Sequence, residues 1–208
     1  MKKVFIGAVV KQEPDYDKVK ELINNIPEKK VAICYSNQFI DVAKKISEII
    51  DKEVLSSFQV LGCSNPKFKE EVEAIIIIGQ GKFHSVSLAY ESKLPTYVVE
   101  GSSLNQITEE EILKMERKEK GALLKYITSN KIGILVTTKP GQMRFEKALE
   151  YNRQLKEKKG YVFMDNNLNT AEFENYGIDC WVNTACPRMD LNEGAIMNLD
   201  KIPKELIK

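Results

Sequence analysis

Four cysteines, one histidine and a few loop cations are the residues of this chain whose chemistry goes beyond packing. Cys63 stands in "QVLGCSNP" (59–66) and Cys186 in "NTACPR" (183–188). Each comes just after an apolar run and just before a turn-forming residue. Neither has a CxxC neighbour, so neither reads as a zinc knuckle. Two strand-end cysteines from separate halves could converge on a metal or a cluster. The plainer alternative is buried packing, which suits a free cysteine. Cys34, inside "VAIC", and Cys180, at the head of "CWVN", read as core strand positions.

Two loops offer backbone and charge for a ligand. "GQGKFH" (79–84) follows an apolar run, and Gly79 and Gly81 would let a backbone approach a ligand closely. It is not a dinucleotide fingerprint. His84 could act as a base or a donor, or sit on the surface. "TTKPGQ" (137–142) follows "IGILV" and precedes a helix. Lys139 beside a helix N-terminus would suit a carboxylate or phosphate, but the spacing is not that of a P-loop. Arg144 and Arg188 each follow such a loop and read as surface residues or as site cations; Arg188 is kept as a cofactor-binding candidate. No G-x-S-x-G supports a hydrolase triad. The acids of "EPDYD" (13–17) and "MDNN" (164–167) are explained by capping and turns.

These loops need strands to hold them. The apolar runs are "VFIGAVV" (4–10), "VAIC" (31–34), "EAIIIIG" (73–79), "TYVVE" (96–100), "IGILVTT" (132–138), "GYVFM" (160–164) and "CWVNT" (180–184). They are apolar on consecutive positions, as strands covered on both faces are. Helical periodicity lies between them: Tyr16, Val19, Leu22, Ile23 and Ile26 share a face, as do Phe39, Ile40, Ala43, Ile46 and Ile50. A longer helix starts at Thr108, an N-cap with Glu111 as its capping-box partner. Another runs through Phe145, Ala148, Leu149, Asn152 and Leu155. Alternating strands and helices predict an α/β protein with parallel sheets flanked by helices. The pattern fits two tandem Rossmann-like domains, 1–104 and 105–208, divided at the polar "EGSSLNQITEE" (100–110). In such sheets ligands bind beyond the carboxyl ends of the strands, where the cysteine and glycine loops fall.

Composition limits the function classes. The chain has 208 residues, 43% of them hydrophobic, as expected of an ordinary soluble globular protein. Its 31 basic and 30 acidic residues nearly cancel, which argues against a nucleic-acid partner. The first apolar run is too short for a signal peptide and none approaches membrane-spanning length, so a cytoplasmic protein with reduced cysteines and no membrane partner is expected.

Taken in order, "QVLGCS", "IIIGQGKFH", "ITEEEI", "GILVTTKPGQ" and "IDCWVNTACPR" resemble the diphthamide synthase family over almost the whole chain. "TKPGQ" followed by "NTACPR" is a specific signature of that family. The resemblance implies a fold of three similar α/β domains, each giving one cysteine to a shared 4Fe–4S cluster. It implies S-adenosylmethionine at the open iron and transfer of a 3-amino-3-carboxypropyl group to a histidine of elongation factor 2. Cys63 and Cys186 would then be cluster ligands, at matching places in two copies of one domain. Gly79, Gly81, His84, Lys139, Gly141 and Gln142 would line the S-adenosylmethionine cavity. Family members work as homodimers or heterodimers.

The departures matter too. The chain begins where the family's second domain begins, so the first domain and its cysteine are missing; Met1 reads as a natural start. Gln80 stands where the family has an aspartate, and Thr137 where it has a glycine. After "CPR" the only acids of "MDLNEG" are Asp190 and Glu193. Two cysteines do not complete the ligand set. A homodimer, or a heteromer with a full-length or domain-supplying paralogue, is expected to complete it. The alternatives are a non-catalytic truncated paralogue acting as an accessory subunit, or a cleft repurposed for another small ligand.

Overall fold

The structure is a computed structural model that describes residues 13–60, 66–79, 83–187 and 196–207, without the side chains of 83 and 84. The expected strand at 4–10 lies outside these residues. The chain divides into two compact units, Met1–Met115 and Glu116–Lys208.

In the first unit, α1 (Tyr16–Asn24) is followed by β1 (Lys30–Tyr35), α2 (Ile40–Ile49) and β2 (Glu53–Gln59). Then come β3 (Ala74–Ile78), α3 (Phe83–Ser92), β4 (Thr96–Glu100) and β5 (Ser103–Gln106). The sheet order is β2-β1-β3-β4-β5. The pairs β2–β1, β1–β3 and β3–β4 are parallel. Side chains alternate across the strands. Val31, Ile33, Ile76, Ile78 and Val99 therefore pack with Val19 and Ile23 of α1 and Ala43 and Ile46 of α2. Cys34, Ile75 and Ile77 face the other way, onto Leu88 of α3. With both faces covered, Ala74–Ile78 is buried along its whole length.

The segment 103–106 departs from the all-parallel expectation. It folds back as β5, antiparallel to β4, through a turn in which Gly101 takes φ +57°. It belongs to the first sheet, and the division between units falls later, inside α4 (Glu109–Thr128). The capping box at the start of α4 is formed. Thr108 Oγ1 accepts from the Glu111 N–H at 3.3 Å, and the Glu111 carboxylate accepts from the Thr108 N–H at 3.0 Å.

The second unit continues with β6 (Lys131–Thr137), α5 (Phe145–Gln154), β7 (Lys159–Asp165), β8 (Cys180–Asn183) and β9 (Ile196–Asn198). These strands form a parallel sheet in the order β7-β6-β8-β9. Ile132, Ile134, Cys180, Val182 and Met197 pack with Tyr126 of α4 and Ala148 and Tyr151 of α5. On the opposite face Gly133 leaves room for Trp181. A Cβ at Gly133 would lie 2.3 Å from the indole ring. The indole meets Phe163 at 5.0 Å between ring centroids.

The units repeat one topology, and two carboxylates mark the correspondence. Glu73, just before β3, accepts the backbone N–H groups of Lys29 and Lys30 at 2.7 and 3.1 Å, at the entry of β1. Asp179, just before β8, accepts those of Asn130 and Lys131 at 3.0 and 2.8 Å, at the entry of β6. So β1 corresponds to β6, β2 to β7, β3 to β8 and β4 to β9. This corrects the sequence-based pairing of the cysteines. Cys63 lies in the chain between β2 and β3, whereas Cys186 lies between β8 and β9. The two connections are not equivalent. In the first unit the counterpart of the Cys186 loop is the connection after β3, which holds Gly79 and His84.

Candidate functional site

In both units the chain leaves the first strand in one direction and the third in the other. That makes the carboxyl ends of β1 and β3, and of β6 and β8, topological switch points, where open parallel sheets take their ligands. In the first unit the Ser36 N–H, just past β1, donates to the Ile78 carbonyl at 3.3 Å. A Cβ on Gly79 would lie 3.5 Å from Ser36 Oγ. Gly79 is therefore at the switch point, with α3 opening four residues on. His84 is the second residue of α3; its side chain, like Gly81 and Cys63, lies outside the described residues.

At the end of β6, Thr137 is buried, and its hydroxyl both donates to the Asn166 carbonyl at 3.1 Å and accepts the Lys139 N–H at 3.2 Å. Lys139, Pro140, Gly141 and Gln142 then form a tight turn. The Gln142 N–H donates to the Lys139 carbonyl at 3.1 Å and Gly141 takes φ +81°. Proline followed by a positive-φ glycine is what a type II turn requires. Lys139, Gly141 and Gln142 are exposed. Arg144, at the start of α5, pairs with Asp200 at 3.3 Å, and Lys147 pairs with the same carboxylate. The neighbouring Lys147, more than Arg144, holds the Asp200 carboxyl below the usual range. Arg188 lies outside the described residues.

The described cysteines differ sharply in environment. Cys34 is fully buried, and burial pushes its thiol up to about 12. Cys180 is fully buried too, and burial pushes its thiol up to about 11. Neither is a ready thiolate, because loss of water disfavours the charged form. Cys186 is only half-buried. It follows β8 in a loop whose backbone is held by side chains. The Thr184 N–H and hydroxyl both donate to the Leu135 carbonyl, at 3.1 and 2.7 Å. Asn183 Oδ1 accepts the Ala185 N–H at 2.9 Å, and Asn183 Nδ2 donates to the Cys186 carbonyl at 2.8 Å. Asn198 Nδ2 donates to the Pro187 carbonyl at 3.1 Å. Asn183 and Asn198 were not among the residues read from the sequence as site candidates. The signal was there: an asparagine inside an apolar strand needs buried partners.

Cys186 thus offers a soft sulfur in a loop braced by hydrogen bonds beyond the carboxyl end of β8, a donor type that suits an iron–sulfur cluster. Among the described residues no three His, Cys, Asp or Glu side chains gather to hold a metal ion.

A family model for diphthamide synthesis proteins matches residues 2–196. The chain belongs to the diphthamide synthesis family. Among curated relatives, the 2-(3-amino-3-carboxypropyl)histidine synthase of Methanocaldococcus jannaschii is 28% identical, over 93% of this chain and 57% of the relative. The enzyme of the same name from Pyrococcus horikoshii is 26% identical, over 90% of this chain and 60% of the relative. A crystal structure of Dph2 from Pyrococcus horikoshii with a 4Fe–4S cluster superposes with a TM-score of 0.71 and 23% identity. That match covers 88% of this chain and 59% of the Dph2 chain, and it establishes the shared fold. This member of the diphthamide synthesis family therefore spans well under two thirds of the length of those relatives. No helix among its described residues is long and apolar enough to cross a membrane.

Proposed function

We propose that the chain is a component of an iron–sulfur, S-adenosylmethionine-dependent transferase that attaches a 3-amino-3-carboxypropyl group to a histidine of elongation factor 2. Cys186 and Cys63 are its two cluster ligands. The observation that carries this reading is the Cys186 loop: the half-buried thiol follows β8 at a topological switch point, while Cys34 and Cys180 are sealed in the two cores. When bound, a 4Fe–4S cluster supplies the electron that breaks a carbon–sulfur bond of S-adenosylmethionine.

The chain's own residues bind and orient. The Lys139–Gln142 turn presents an exposed lysine beyond β6, suited to the carboxylate of the methionine moiety. Gly79 keeps the β1–β3 switch point clear of side chains; Gly81 and His84 follow it in the chain and Arg188 follows Cys186. Two thiolates leave the cluster short of ligands, so a second copy or a domain-supplying paralogue completes it.

An accessory role is the second reading. It draws support from Gln80, which stands where the family has an aspartate. Incubating the reconstituted, reduced chain with S-adenosylmethionine separates the two, alone and mixed with a full-length relative. Methylthioadenosine formation that disappears in Cys186→Ala supports the transferase. Stimulation of the relative above its own rate, undiminished by Cys186→Ala, supports the accessory subunit.

A further inference from the structure

We propose that Asn183 and Asn198 are a positioning pair that fixes the Cys186 thiolate for its cluster; this rests on Cys186 being a ligand. The two residues are cross-strand partners in the β8–β9 register. They are 2% and 5% exposed, and Asn183 Nδ2 donates to Asn198 Oδ1 at 2.8 Å. Together they take up three backbone groups around the thiol: the Ala185 N–H and the carbonyls of Cys186 and Pro187. β8 ends at Asn183, so these groups lie beyond its backbone pairing with β6 and β9. The path of the loop, and with it the direction of the Cys186 Cα–Cβ bond, is set by two carboxamides. A ligand held this way loses little freedom when metal binds, and removing such supporting hydrogen bonds typically weakens a metal site about tenfold or more.

The pair divides the work. Asn183 bonds on both sides of Cys186, and Asn198 holds Asn183 and the residue beyond it. Asn198→Asp keeps the shape and the acceptor towards Asn183 but loses the donor to Pro187. Asn198→Ser is uncharged and too short to reach Pro187, which guards against a buried carboxylate unfolding the unit.

Both variants and the wild type are compared after anaerobic loading with iron and sulfide. The readouts are melting temperature, iron retained after desalting, the electron paramagnetic resonance spectrum of the reduced cluster, and the alkylation rate of Cys186 in the metal-free chain, followed by peptide mass. The expected result is at least one folded variant with iron retention down about tenfold, an altered spectrum and a Cys186 alkylation rate changed at least threefold. A role in stability alone would lower the melting temperature and leave the spectrum of the loaded protein unchanged. Wild-type iron, spectrum and alkylation rate in both variants would overturn the proposal. If Cys186→Ala retains wild-type iron, the ligand reading itself fails, a result distinct from variants that fail to matter beside an iron-free Cys186→Ala.

Discussion

Asn183 on β8 and Asn198 on β9 stand opposite each other in a parallel register, and a 2.8 Å hydrogen bond joins their carboxamides. Burying two amides beneath a loop is costly unless every polar atom finds a partner. Here the partners are the backbone on either side of Cys186.

The described thiols should separate cleanly by reactivity. At pH 7.5, with the chain folded, a maleimide should label Cys186 and leave Cys34 and Cys180 untouched, because burial raises both thiols and closes access. Labelling of the two core thiols should appear only as denaturant unfolds the units. Peptide mapping by mass spectrometry reads this directly; folded-state labelling of Cys180 at the rate of Cys186 would contradict it.

Gly133→Ala should destabilise the second unit by about 1–3 kcal/mol through overpacking. Its new methyl would meet the Trp181 indole at 2.3 Å, in the middle of a sheet where neither strand can give way easily. Trp181 is the sole tryptophan, so its fluorescence during urea unfolding reports the same site.

Thr108→Ala removes one half of the capping box at α4 and should cost about 1 kcal/mol. Glu111→Ala removes the other half. The double variant should lose less than the sum of the single losses, since the two residues act on each other. A thermodynamic cycle by chemical denaturation checks the coupling.

Acid should loosen both units through the paired clamps. The Glu73 carboxyl is held below its usual range by the Lys30 and Lys29 N–H groups, and that of Asp179 by the Lys131 and Asn130 N–H groups. A carboxylate with a lowered folded-state pKa stabilises fully above its unfolded value, about 4. That contribution is lost as pH falls from there through the folded-state value. Glu73→Gln and Asp179→Asn should therefore be less stable than wild type at pH 7 and should converge with it as the pH drops below about 4. Melting curves from pH 7 down to pH 3 test this, and a constant offset across that range would contradict it.

Much of the fold was legible because its central strands are continuous runs of Val and Ile, which only a doubly covered strand explains. The strands that escaped notice are of another kind. In β2, "EVLSSFQ" is an edge strand in which Glu53, Ser57 and Gln59 are exposed, so its apolar residues form no continuous run. In β5 three polar residues and a single apolar one, Leu104, close a hairpin, and β9 has three residues, too few for any period to show. At the site, the loop at 137–142 between a strand and a helix and the contrast between Cys186 and the core thiols followed from residue type and neighbours. The Asn183–Asn198 pair did not, because it joins residues fifteen apart through a strand pairing that no local pattern announces. The likeness of the Cys63 and Cys186 settings also misled: similar words in the sequence belong to non-equivalent connections of the repeat.

The most direct measurement is iron content after anaerobic reconstitution, for the wild type, Cys63→Ala, Cys186→Ala and Cys180→Ala, each alone and mixed with a full-length relative whose own cluster cysteines are replaced. The expected result is a brown wild-type protein whose iron and visible absorbance are lost in Cys63→Ala and Cys186→Ala and kept in Cys180→Ala. Iron that persists without Cys186, or a wild type that stays colourless both alone and in the mixture, would contradict the assignment of Cys186 as a cluster ligand.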